Sequence, residues 1–181
     1  SIDEVNPCTK DGFTHNNASK YFLYNDLLQG TFDSTAKSEM INEIQAVLSK
    51  ISSASTTTSD LSYYFDTVKA LIELLELKLN LGNEIYHAYK QNDLQALYKI
   101  VNQILPELIK RIETFYNAFK KQWYLENHNQ GFEVQAVRLG GLKQRAIDVR
   151  EQLLVYQKGG VKKIDELEEE HLYFHYFDDS S

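Results

Sequence analysis

The chain has 181 residues, a hydrophobic fraction of 43%, 25% charged residues and a formal net charge of −7, which reads as one soluble globular domain long enough to bury a core. Its acidic residues are interspersed among the Lys and Arg, which works against a nucleic-acid partner, because phosphate contacts need clustered cations. No apolar run approaches the roughly 18 residues that span a bilayer, and a single cysteine, Cys8, can neither close an internal disulfide nor build a thiolate metal cluster.

Residues 1–33 carry no sustained period and are punctuated by Pro7, Gly12, Asn16, Asn17 and Gly30, with one aromatic run from Tyr21 to Tyr24, so they read as a connecting segment. The chain starts at Ser1 without an initiator Met and is read as a piece of a longer protein, with the bundle domain proper covering residues 34–181. From Ala36 to about Ile51, Met40, Ile44, Val47, Leu48 and Ile51 share one helical face, and Ser52 to Asp60 is a Ser/Thr linker. A long second helix follows, its seam running Phe65, Val68, Ile72, Leu75, Leu79, Gly82, Tyr86 and Tyr89, with Ser59 or Asp60 expected as its cap.

Asn92, with Gln95 three residues on, matches a capping pattern and opens a third helix. Its seam is Leu94, Leu97, Val101, Ile104, Leu108, Ile112, Phe115 and Phe119, with Trp123 on the same face. Pro106 removes one backbone hydrogen bond and should bend it. A fourth helix is expected from about Glu133 to Gln157, burying Val134, Val137, Gly141, Val149, Leu153 and Tyr156 and stopping at Gly159 and Gly160. Ile164 to Glu170 is long enough for a short fifth. Long helices joined by short polar turns pack antiparallel, so the expected fold is all-α, an up-and-down bundle of about four long helices.

Most of the conspicuous residues have a plain structural reading. Gly140 and Gly141 sit inside a helix at a cost of about 1 kcal/mol each relative to Ala, which close approach of another helix or loop would offset; a phosphate cradle lacks its preceding strand and its Lys. Arg138 and Arg145, seven residues apart, share a face with Gly141 between them. They could grip one carboxylate at a domain or subunit junction, or pair with Glu133, Asp148 or a neighbouring helix. His171 and His175 have helical ligand spacing, but the surrounding Leu172, Tyr173, Phe174, Tyr176 and Phe177 read as a docking tail, and no metal or other cofactor is expected. Tyr63, Tyr64, Tyr86, Tyr89, Tyr98, Tyr116 and Tyr124 fall at seam or flanking positions and read as core more than as a sugar platform. Asn17-Ala18-Ser19 fits a glycosylation pattern that arises often by chance. The adjacent acid pairs Asp3-Glu4 and Asp165-Glu166 lack a strand-end setting and do not read as catalytic.

Two stretches are less ordinary. Residues 119–145 lead from a helix ending in Trp123 through a polar turn into Gly131-Phe132-Glu133-Val134, then Arg138-Leu139-Gly140-Gly141-Leu142 and Arg145. Residues 17–33 read Asn-Ala-Ser-Lys-Tyr-Phe-Leu-Tyr-Asn-Asp-Leu-Leu-Gln-Gly-Thr-Phe-Asp. Both, in their order along the chain, resemble the C-terminal helical region of bacterial family 20 β-N-acetylhexosaminidases, residues 17–33 resembling the segment that follows the catalytic barrel. The chain departs from that pattern at Ala18 and Leu27, where the family tends to have Pro, at Gln29, and in the turn at 127–130.

The resemblance implies a parent enzyme that removes terminal N-acetylglucosamine or N-acetylgalactosamine with retention, the sugar's own acetamido oxygen acting as nucleophile. The Asp and Glu that drive this lie in a (β/α)₈ barrel, and no position in this chain carries that motif. It further implies a non-catalytic, cofactor-free module that supports the barrel of the same polypeptide; the aromatic tail and the Gly140-Gly141 face lead to the expectation of a homodimer, and a cytoplasmic location is expected. The residues then expected near the sugar or an interface are Tyr24, Asn25, Asp26, Trp123, Arg138, Gly140, Gly141 and Arg145. A free-standing helical interaction protein is the alternative, for which the seams and the acidic surface suffice.

Overall fold

A computed structural model describes residues 22–31, 38–54, 61–127 and 130–170. The expected cap at Ser59 or Asp60, the Asn17 pattern, the His171 and His175 pair and the aromatic tail lie outside them. The helices are α1 (Ser38–Ala54), α2 (Ser62–Lys78), α3 (Leu81–Lys90), α4 (Leu94–Lys99), a π-helical turn (Ile100–Ile104), α5 (Leu105–Glu126), α6 (Phe132–Gln157) and the single turn α7 (Asp165–Glu168). No strand occurs among the described residues, and none of their helices is long and apolar enough to cross a membrane. The fold is an all-α bundle, as the seams imply.

Side-chain pairs set the helix directions. Tyr63 near the start of α2 lies close enough to Glu126 at the end of α5 to interact with it electrostatically, while Arg111 in mid-α5 reaches Glu76 toward the end of α2 at 3.4 Å, so these two run antiparallel. Trp123 meets Phe132 across the α5 to α6 turn, and Lys143 pairs with Glu113 at 3.1 Å, so α6 returns antiparallel along α5. Helix α1 covers α2 through Ile44, which is buried, and a Gln45 to Glu76 hydrogen bond. Fully buried Leu74, Ile85, Leu97, Leu108, Val149 and Leu153 form the centre, each contributing about 1.5–3 kcal/mol by leaving water. Residues 22–31 are part of that centre: Phe22, Leu23, Leu27 and Leu28 are buried in the same cluster.

Several details differ from the sequence reading. The long second helix breaks at Leu79 and Asn80 into α2 and α3; Leu79, Gly82, Ile85 and Tyr89 stay buried on both sides, so the break leaves no trace in the periodicity. The cap of α4 is Asp93, whose carboxylate accepts from the Gln95 and Ala96 N–H groups, and Asn92 instead takes φ +53° in the preceding turn. Leu94, assigned to the seam, is half exposed. Pro106 does not simply delete a bond: the helix widens to π geometry over Ile100–Ile104 just before it, which shifts the carbonyl its ring would strike.

A further correction is the phase of α6. Val134, Val137 and Gly141, expected inside, are exposed, and the buried stripe is Phe132, Leu139, Ala146, Val149 and Leu153. Tyr64, Tyr98 and Tyr124 are also exposed rather than core, whereas Tyr89 is buried. Helix α6 stops as expected. Gly159 at φ +72° donates to Tyr156 O and Gly160 donates to Val155 O, the paired bonds that satisfy the last helical carbonyls.

Candidate functional site

Between α2 and α6 the chain turns at Tyr24, Asn25 and Asp26, after a single helical turn at 22–24. Asp26 makes this turn by accepting the Leu28 N–H at 2.9 Å and the Gln29 N–H at 3.1 Å, while its own carbonyl accepts from Gly30 at 3.1 Å. Arg145 on α6 then grips the same carboxylate with two bonds, Nε to Oδ2 at 2.7 Å and Nη2 to Oδ1 at 3.2 Å. The guanidinium also donates to Glu166 on α7 at 2.8 Å, and Gln152 steadies that glutamate. One arginine thus ties the N-terminal turn, α6 and α7 together.

The electrostatics follow from this arrangement. Burial pushes the Asp26 carboxyl up, but the Arg145 bonds and the two backbone N–H groups outweigh it and hold the group below the ordinary carboxylate range. The bonds to Asp26, and then those to Glu166, raise Arg145 further above its usual value against the pull of burial. Burial also raises the Tyr24 phenol, and the charge of Arg138 offsets part of that rise.

Lys78, at the last position of α2, is buried with 4% of its surface exposed. Its Nζ donates to the Phe22 carbonyl at 3.1 Å and to the Asn25 carbonyl. Two cations from two helices therefore hold one short turn, Lys78 through its backbone and Arg145 through its side chain. Beside them opens a cleft of about 190 Å³, floored by Leu108, Ile112 and Leu142 and rimmed by Tyr24, Asn25, Asp26, Gly141 and Arg145. Its chemistry is hydrogen bonding and charge pairing over an apolar floor.

Of the residues singled out from the sequence, Tyr24, Asn25, Asp26, Gly141 and Arg145 meet at this cleft, and Arg138 is exposed yet close enough to act on Tyr24. Among the described residues the two arginines share no carboxylate, and Arg145 pairs not with Glu133 or Asp148 but with Asp26 and, on the neighbouring helix α7, with Glu166. Gly140 is exposed, and a Cβ added at Gly140 or Gly141 would meet nothing within 4 Å among the described residues, so the close approach expected there is not made by the described helices. Trp123 stands apart, about three turns along α5 from Ile112. It packs edge-on against Phe119 and tilted against Phe132, and its ring lies 3.2 Å from where a Cβ on Gly131 would be.

The sequence reading missed Lys78 and Glu166. Lys78 left a signal: it follows Leu74 by four and Leu75 by three residues, a buried-face position where a charge needs a reason.

The family model for the glycoside hydrolase 20C C-terminal domain matches residues 1–181. The chain belongs to that family. No curated protein matches it. As a glycoside hydrolase 20C C-terminal domain, the chain is part of the architecture of a family 20 glycoside hydrolase, and the turn at Tyr24 to Asp26 lies within one of the two stretches that carry the resemblance.

Proposed function

We propose that this domain is the non-catalytic support of a family 20 β-N-acetylhexosaminidase, packing against the catalytic barrel of the same polypeptide and contributing to a homodimer. The parent enzyme removes terminal N-acetylglucosamine or N-acetylgalactosamine from glycans by retaining hydrolysis, with the substrate acetamide as nucleophile. Residues 1–33 are the connection from the barrel and 34–181 the bundle, and the parent works in the cytoplasm without a metal or organic cofactor.

The observation that carries this reading is the anchoring of residues 22–31. Phe22, Leu23, Leu27 and Leu28 are buried in the bundle core and the turn between them is fixed by the Asp26 to Arg145 pair and by Lys78, so the connection ends in a rigid mount instead of a hinge. The uncovered Gly140 and Gly141, with exposed Val134 and Val137 nearby on α6, supply a face on which another body can lie close to the helix. Tyr24, Asn25, Asp26 and Arg138 are the residues we assign nearest the sugar.

The test compares the full-length parent with a version ending at Asp33, using light scattering for mass and a chromogenic N-acetylglucosaminide for activity. The truncated enzyme is expected to be monomeric and much less active. A truncated dimer that hydrolyses the substrate as fast as the parent would end the proposal.

A further inference from the structure

Among the described residues, Lys78 is the one buried side chain that carries a charge at neutral pH. An ammonium in a core is costly to desolvate, and its neighbours Leu74 and Leu75 illustrate the apolar filling that would avoid that cost. What an apolar residue cannot do is donate to the carbonyls of Phe22 and Asn25. Closing the core needs no such bonds, because Phe22, Leu23, Leu27 and Leu28 are already buried in it. The bonds fix instead the backbone on either side of Tyr24, while Arg145 fixes Asp26 just beyond. Tyr24 and Asn25 therefore stand between two anchors, both at the rim of the cleft, with nothing within 4 Å of a Cβ on the adjacent Gly141 to narrow its mouth.

We infer that Lys78 is a positioning residue: by holding the Phe22 and Asn25 carbonyls it sets Tyr24 and Asn25 in the geometry with which they contact the terminal amino sugar bound by the parent enzyme. This rests on the function proposed above. Lys78 also lines the cleft, but its ammonium is turned to the Phe22 and Asn25 carbonyls, so it acts through the turn.

The experiment uses the full-length parent with Lys78→Met, Lys78→Arg, Asn25→Ala and the Lys78→Met/Asn25→Ala pair. Kinetics on a chromogenic N-acetylglucosaminide are combined with hydrogen exchange over residues 22–31. Lys78→Met is expected to raise KM about tenfold with kcat nearly unchanged, the signature of contacts made equally in the ground and transition states. It should also speed exchange at the Leu28, Gln29 and Gly30 amides while leaving α5 protected. Lys78→Arg should restore most of the KM, and Lys78→Met should add little once Asn25 is Ala. A folded Lys78→Met enzyme with unchanged KM, or one whose KM rises equally in the Asn25→Ala background, overturns the inference. If Lys78→Met does not fold, Asn25→Ala decides, and an unchanged KM there overturns it as well. A parent that cleaves no amino-sugar glycoside overturns the preceding reading and the sugar contact with it, whereas the exchange result separately decides whether Lys78 holds the turn.

Discussion

At the scale of single residues, the turn at Asp26 depends on an ion pair whose two side chains are 29% and 25% exposed. Exposed pairs contribute little and breaking buried ones costs several kcal/mol; this pair lies between, so Arg145→Met should lower the unfolding free energy by about 1–3 kcal/mol, measured by urea titration at neutral pH. Glu166 loses the same partner, which pushes the cost toward the upper end. The pH dependence has a definite sign. Asp26 is held below its unfolded value, so its contribution is fully present above the ordinary carboxylate pKa of about 4 and is lost as pH falls through the lower folded value. The stability gap between wild type and Asp26→Asn should accordingly be constant from neutral pH down to about 5 and close below about 4. A gap that widens in acid would contradict the assignment. Legibility at this scale was partial. Arg145 and Asp26 were each singled out, but 119 residues separate them, and no local pattern states which carboxylate an arginine will find.

At the scale of elements, the existence of the helices was plain in the sequence while their phase and interruptions were not. The α5 seam through Leu108, Ile112 and Phe115 is read directly from three- and four-residue steps, and all three side chains are buried. In α6 the valines at 134 and 137 competed with the true stripe from Phe132 through Leu139 to Ala146, because apolar residues on both faces leave two phases possible. The break after Lys78 was hidden for a different reason: it keeps both pieces in register with one core. The exposure of Gly140 and Gly141 turns these facts into a test. With no neighbour within 4 Å of either Cβ, Gly140→Ala/Gly141→Ala should stabilise the isolated 181-residue chain, by about 1 kcal/mol per site from helix propensity alone. In the parent enzyme the same pair should lower the melting temperature, because two methyl groups would then press into whatever lies on this face. Equal stabilisation in both settings would mean that the face is open in the parent too.

At the scale of the whole molecule, the same mount predicts how the parent should come apart. Domains joined by a mobile linker unfold independently, each with its own transition. Here the segment we propose as the connection is anchored in the bundle: Leu28 is fully enclosed and Phe22 nearly so, and the turn between them is held from α2 by Lys78 and from α6 by Arg145. Melting the bundle must release residues 22–31, and with them any geometry they impose on the barrel. The helical circular-dichroism signal and the hydrolytic activity of the parent should therefore be lost in one coincident transition on heating. Arg145→Met should lower that common midpoint by several degrees, since about 1–3 kcal/mol is spread over the unfolding entropy of the coupled unit. Lys143→Ala, which removes an exposed pair with Glu113, should leave it nearly unmoved, as exposed pairs contribute about 0–1 kcal/mol. Activity that persists after the helical signal has gone would show that the barrel does not depend on the bundle, and the supporting role assigned to this domain would fall with it.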